Sequence, residues 1–184
     1  MIIEFLADGF EEVEALTPLD ILRRAGADVK TVSVNDVKTV TGAHGITVFA
    51  DETVSFADKA ENVEMVILPG GMPGARNLFE SPAVIRTVKT VYGQNGRIAA
   101  ICAAPFILGR LGLLEGKRAT CYPGFEPELA GALCEDTSRG GTVVTDGQIT
   151  TATGMGVAVR FGAELAGLLY GRVKAREILD SIMY

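Results

Sequence analysis

Residues 2–34 read IIEFLADGFEEVEALTPLDILRRAGADVKTVSV, and this stretch decides the fold class. The apolar run from Ile2 to Leu6 breaks at Asp8-Gly9. Val13, Leu16, Leu19, Ile21 and Leu22 then recur at helical spacing as far as Arg24, Gly26 ends the helix, and Val29 to Val34 reads as a second strand. Strand, helix and strand in so short a span form a βαβ unit, whose strands run parallel and whose two faces both need covering.

Outward from this unit the alternation continues. A polar stretch holds one short strand at Ile46 to Phe49, and Glu64 to Leu68 gives a buried strand ending at Pro69-Gly70-Gly71. Ser81 is placed to cap a helix whose first residue is Pro82 and whose apolar face is Val84, Ile85, Val88 and Val91. Arg97 to Cys102 is the next strand and Ala103 to Leu113 the next helix. Thr142 to Thr145 and Gln148 to Thr151 flank Asp146-Gly147 as a hairpin, and helices follow over Val157 to Leu169 and Val173 to Ile182. The pattern predicts an α/β three-layer sandwich, a mostly parallel sheet with helices on both faces, in a single domain over residues 1–184.

Composition narrows the function. The chain has 184 residues, 48% of them apolar, enough for one sizeable core. Its net charge of -6 comes from interleaved acids and bases without a lysine–arginine run, which argues against nucleic acid as a partner. The longest apolar runs, such as Met65 to Leu68 and Ile98 to Phe106, fall well short of the roughly 18 residues a bilayer span needs. With no charged-then-apolar leader ahead of the first strand, the expectation is a soluble, unexported, cytoplasmic protein that does not engage membranes. Cys102, Cys121 and Cys134 make an odd set without Cys-x-x-Cys spacing, against both a disulfide framework and a structural zinc site. His44 is the single histidine, so no multi-histidine metal centre can be built within one chain, and no metal or other cofactor is expected.

Open parallel sheets bind ligands beyond the carboxyl ends of their strands. The loops there carry Glu11, Glu12 and Glu14, then Gly70 and Gly71, then Cys102. Arg-Ile-Ala-Ala-Ile-Cys-Ala-Ala-Pro, residues 97–105, puts Cys102 where a strand turns directly into a helix, an arrangement resembling a nucleophile elbow. A cysteine is ordinarily a small buried hydrophobe, and that reading serves for Cys121 and Cys134. For Cys102, a helix N-terminus is expected to favour thiolate and lower the thiol pKa. Glu11 and Glu12 are explained as acids stabilising the first turn of a helix. Glu14 can face solvent or the Cys102 loop; facing the cysteine, its buried carboxyl would stay protonated, hydrogen-bond the thiolate and act as general acid and base. The N–H of Gly71, otherwise a plain turn glycine, and that of Ala103 are candidates for an oxyanion hole. His44 in Gly-Ala-His-Gly is either a surface histidine or a site residue, and Tyr122 either a hydroxyl donor or a packed aromatic. Thr153-Gly154-Met155-Gly156 lacks a phosphate fingerprint and reads as a tight turn lining the pocket.

Taken together, Asp8-Gly9-Phe10-Glu11-Glu12-Val13-Glu14, Leu68-Pro69-Gly70-Gly71, Ala99 to Pro105 and Thr153 to Gly156 resemble the ThiJ/PfpI superfamily, and within it the Parkinsonism-associated deglycase branch, over nearly the whole chain. The resemblance implies a flavodoxin-like sandwich, usually a homodimer, with Glu14 and Cys102 as the interacting pair and Gly71 and Ala103 as oxyanion donors. It adds Arg24, matching an arginine that relatives place near the dimer interface and the cysteine. Tyr122 stands where many relatives have histidine, so a Cys–His pair of the peptidase kind does not carry over. His44 stands where several relatives have an arginine reaching the partner's site. Arg24, His44 and Tyr122 are therefore candidates for the pocket or the interface. The implied activity is glutathione-independent conversion of small reactive aldehydes such as methylglyoxal to hydroxy acids, or deglycation. The alternative is a redox-sensing or chaperone-type stress protein using an oxidisable Cys102.

Overall fold

β1 (Ile2–Leu6), α1 (Glu12–Arg24) and β2 (Val29–Ser33) form the expected unit, the two strands parallel with Phe5 opposite Val32. Next come β3 (Thr39–Thr41), β4 (Thr47–Phe49), β5 (Glu52–Thr53), α2 (Val54–Ala57), β6 (Met65–Leu68), α3 (Gly74–Glu80), α4 (Pro82–Gly93), β7 (Arg97–Ile101) and α5 (Pro105–Arg110). β8 (Arg118–Ala119), β9 (Leu133–Cys134), β10 (Val143–Asp146), β11 (Ile149–Ala152), α6 (Ala158–Tyr170) and α7 (Arg172–Ser181) complete the chain. This computed structural model describes residues 1–135, 137 and 140–184.

Seven strands make one sheet in the order β10-β11-β7-β6-β1-β2-β5, parallel throughout except for the edge hairpin β10–β11. This is the flavodoxin-like sandwich. Alternate residues of β6 divide the core. Val66 and Leu68 face a cluster with Val88, Ile107 and Leu108, whereas Met65 and Ile67 face Leu22, Phe161 and Leu165. Each such fully buried aliphatic or aromatic side chain stabilises the fold by about 1.5–3 kcal/mol. The chain leaves β1 toward β2 on one side and returns to β6 on the other, so strand order reverses between β1 and β6, and the crevice beyond their carboxyl ends is the topological switch point.

Several local expectations change. The strand read at Ile46 to Phe49 is β4, but it pairs with β3 in a separate antiparallel ribbon rather than joining the main sheet. The ribbon is tied to the β1–α1 loop by Gly9 N–H to Thr41 O at 2.8 Å and Ala43 N–H to Phe10 O at 2.7 Å. Ser81 precedes α4 as expected, yet its side chain makes no capping bond; its carbonyl accepts from Ile85 N–H instead. α3, to which the sequence reading assigned no element, follows shortly after the Pro69-Gly70-Gly71 turn. Among the described residues no helix is long and apolar enough to cross a membrane.

One buried polar group stands apart. Glu4, in the middle of β1, is fully buried and neither carboxyl oxygen has a hydrogen-bond partner. Burial pushes its carboxyl well above the ordinary value, with the positive charge of Arg23 opposing and the negative charge of Asp51 adding.

Candidate active site

The site assembles from three strand-to-helix loops at the switch point. Glu11 is the N-cap of α1, and its Oε2 accepts the Glu14 N–H at 2.7 Å. That bond fixes the first turn, and Glu14, the third residue of the helix, points inward, only 1% exposed. From the second loop the Gly70 N–H donates to Glu14 Oε2 at 3.2 Å, and the Met155 N–H, from a fourth segment between β11 and α6, donates to the same carboxyl. Cys102 comes from the third loop, and its sulfur is hydrogen-bonded to Glu14. The structure thus chooses between the two faces that the sequence left open for Glu14.

Cys102 adopts φ +64°, in the left-handed region that non-glycine residues rarely occupy, a conformation that costs about 1–3 kcal/mol where the surroundings enforce it. They do so here, because its N–H donates to Ala152 O and its carbonyl accepts from Tyr122 N–H, each at 2.8 Å. The turn aims the half-buried thiol into the crevice, where the N–H groups of Gly71 and Ala103 both point at the sulfur. Gly71 has φ +85°, and a Cβ there would stand 2.4 Å from Glu11 N and 2.5 Å from Gly9 O, so only glycine presents this N–H. Gly70 is as constrained: its Cβ would lie 2.4 Å from Glu14 Oε2 and 2.6 Å from Cys102 Cβ.

Electrostatics couple the pair. Burial pushes the Glu14 carboxyl up to about 7, against the hydrogen bonds it accepts. Burial, and then the charge and hydrogen bond of Glu14, push the Cys102 thiol up to about 12, while Gly71 and Ala103 pull it down. The thiol lowered by a helix terminus is therefore corrected: α5 begins only at Pro105, and a carboxylate in direct contact outweighs a distant dipole. The pair thus gives up one proton at about 7 and resists losing its second until about 12.

The remaining expected residues lie further out. Tyr122 is exposed at the mouth, where a Cβ on Gly154 would lie 3.5 Å from its ring and 4.0 Å from Cys102 Sγ, so the glycine turn lines the pocket as expected. His44 sits in the β3–β4 turn, where its N–H and Nδ1 each lie 2.8 Å from an oxygen of Glu12. Glu12 is thus a buried anchor for this turn, and not merely an acid of the first helical turn. Burial opposes its ionisation, but the bonds from His44 prevail and lower its pKa; the same contact raises that of His44. Arg24 lies roughly 15 Å beyond Glu14 along α1 and pairs with Asp20 at 2.7 Å, so within one chain it does not reach Cys102. It shares a surface hollow with Val13, Leu16 and Ile46. Among the described residues one group of donors, Glu11, Glu12 and His44, lies close enough for a metal, within 4.8 Å, and there both Glu12 oxygens are engaged by His44. Cys121 is buried, Cys134 exposed, and all three thiols are free. Sequence reading missed the Gly70 and Met155 donors and the Glu12–His44 contact. The doubled glycine was a signal for the first, whereas nothing local marked the others.

The family model described as the DJ-1/PfpI family matches residues 2–167. The chain is 33% identical over 178 residues to Protein dj-1beta of Drosophila melanogaster, covering 97% of this chain and 94% of that protein. It is 41% identical over 176 residues to Protein DJ-1 homolog B of Arabidopsis thaliana, covering 94% of this chain but spanning only 39% of that longer protein. Among solved structures, oxidized Toxoplasma gondii DJ-1 superposes with a TM-score of 0.92 at 34% identity, covering 100% of this chain and 97% of the other.

Proposed function

The chain belongs to the DJ-1/PfpI family, and on that premise we propose that it is a cofactor-free, cysteine-dependent enzyme that converts reactive dicarbonyls to hydroxy acids. The observation that carries this reading is the contact between the buried Glu14 carboxyl and the Cys102 sulfur, with the N–H groups of Gly71 and Ala103 beside that sulfur. Methylglyoxal would enter at the mouth beside Tyr122. The Cys102 sulfur adds to the aldehyde carbon while Glu14 protonates the resulting alkoxide, giving a hemithioacetal. Glu14 then takes the proton from that carbon and returns it to the neighbouring carbonyl carbon through an enediolate, leaving a thioester. The Gly71 and Ala103 N–H groups stabilise the negative oxygen. Water cleaves the thioester to lactate and restores the thiol, so the net change is addition of water. A carboxyl poised at about 7 suits proton transfer in both directions near neutral pH. On a glycated amine or thiol the Cys102 sulfur would instead displace the amine or thiol from the former aldehyde carbon, Glu14 protonating the group that leaves, to give the same hemithioacetal.

The test is lactate formation from methylglyoxal without glutathione, on wild type, Cys102→Ser and Glu14→Gln, with the fold checked by circular dichroism. Loss of about two or more orders of magnitude in both folded variants supports the pair, in line with the contribution of general acid–base catalysis. No lactate above background from wild type rejects the reading. A second reading, Cys102 as a hydroperoxide-oxidised sensor, is favoured by a specific observation: the similar Toxoplasma gondii structure is of an oxidized DJ-1. It would hold if oxidation at Cys102 shifts thermal stability while no aldehyde is turned over.

A homodimer accompanies the first reading. Val13 and Leu16 on α1 and Ile46 and Phe49 on the β3–β4 ribbon are exposed apolar side chains, with Phe49 80% exposed. A second copy seated there would cover Arg24 and His44. Sedimentation of Phe49→Glu as a monomer, against a wild-type dimer, is the expected result. Three free thiols fit a reducing, cytoplasmic setting.

A further inference from the structure

Gly154 and Tyr122, which flank the thiol, are also the near wall of an open cleft of about 380 Å³ that runs past Met155 and Gly141 to Arg160. Methylglyoxal would fill a small part of such a volume, which lies in the range of roughly 300–1,000 Å³ that holds drug-sized ligands. Arg160 is the one charged side chain among the described residues lining the cleft. Its guanidinium donates to Gly141 O at 2.9 Å, which holds it at the far rim, on the third residue of α6. The protein as a whole carries a charge of -6, so the Arg160 cation on the cleft is a local departure from the overall sign.

We propose that this cleft is a second subsite, and that the chain acts on α-oxoaldehydes whose far end carries a carboxylate. The carbonyl carbon lies at Cys102, the carbon chain crosses the glycine floor at Gly154, and the carboxylate meets Arg160. The guanidinium fork matches a carboxylate with two parallel N–H donors, which gives orientation as well as attraction. Arg160 is a specificity residue here; it touches the remote end of the substrate and takes no part in proton transfer. The inference rests on the reading of Cys102 as the aldehyde-binding group. Because Arg160 is exposed, the pair contributes modestly, a preference of about twofold to fivefold for acid over neutral analogue.

The test separates binding from chemistry. Binding of ω-carboxylated α-oxoaldehydes of increasing length, beginning with γ,δ-dioxovalerate, is compared with that of their methyl esters by calorimetry on Cys102→Ser. The expected result is tighter binding of the acid at one or more chain lengths, loss of that preference in the Arg160→Glu background and partial retention with Arg160→Lys. On the enzyme with Cys102 intact, the same comparison is expected to appear in KM and not in kcat. Equal binding of acid and ester at every length, or a preference that survives Arg160→Glu, overturns the subsite. Methylglyoxal turnover by wild type is read separately. Its absence removes the catalytic reading, while the calorimetric comparison still decides whether the cleft recognises a carboxylate.

Discussion

Glu14 holds the sulfur of Cys102 through its carboxyl, and the Gly70 turn packs against both residues, donating its N–H to Glu14 at 3.2 Å and leaving no room for a side chain. Replacing Gly70 by alanine puts a methyl group 2.4 Å from Glu14 Oε2 and 2.9 Å from Ile101 O. Stability is expected to fall by about 1–3 kcal/mol, as for overpacking elsewhere. Alkylation of Cys102 by iodoacetamide should change at the same time. Gly154→Ala is the control, because its Cβ meets ordinary contacts of 3.5–4.0 Å and the fold should hold. Equal behaviour of the two variants in denaturation and alkylation would contradict this account.

The raised Glu14 carboxyl sets a pH profile. Glu14 is raised from 4.5 to about 7, so the folded state holds this proton more tightly than the unfolded chain. The stability contributed is complete below 4.5 and is lost as pH rises to about 7. Glu14→Gln should flatten the stability curve across that window. It should also let Cys102 titrate below about 12, because the carboxylate charge is gone. Ultraviolet absorbance of the thiolate follows the second effect, and superimposable titrations of wild type and variant would refute the coupling.

His44 is the single histidine, so its ring protons give one unambiguous signal in a nuclear magnetic resonance titration. The hydrogen bond to Glu12, then the charge of Glu12, raise its pKa above 6.5. The stability this contact supplies is fully present below 6.5 and fades as pH rises through the raised value. Glu12→Gln should return the midpoint to about the unperturbed 6.5. A wild-type midpoint at or below that value would show that the pair does not form in solution.

Glu4 makes a prediction of the opposite kind, a residue whose removal helps. Its buried carboxyl stays protonated in the folded state, whereas the unfolded chain ionises it above 4.5, so stability declines as pH rises beyond that value. Glu4→Gln keeps the shape and removes the titration. Thermal unfolding should show the variant gaining on wild type near neutral pH, with the advantage shrinking in acid. A pH-independent difference between the two would mean that Glu4 is not neutral in the fold.

Much of the fold was legible because β1, β6 and β7 are covered on both faces and so appear as nearly continuous apolar runs, Ile2 to Leu6 with Glu4 as its one interruption, Met65 to Leu68 and Ile98 to Ile101, between helices with clear spacing. β3, β5 and α3 were not, since each is short, partly exposed and held by contacts with distant segments, such as Asn77 to Asp8 O at 2.8 Å, that leave no local period. The site followed the same division. The strand-to-helix turn at Cys102 and the glycines after β6 are local features, whereas the partnership of Glu12 with His44 is a contact between a helix and a separate ribbon.

The sequence by itself determined which residues would stand at the carboxyl edge of a parallel sheet, because strand polarity and the order of strand and loop are written along the chain. Only the tertiary structure decided that Glu14 turns inward, that its carboxyl meets the Cys102 thiol, and that their pKa values rise together. Burial and through-space charge depend on what packs over a group, and that is set by segments remote in sequence.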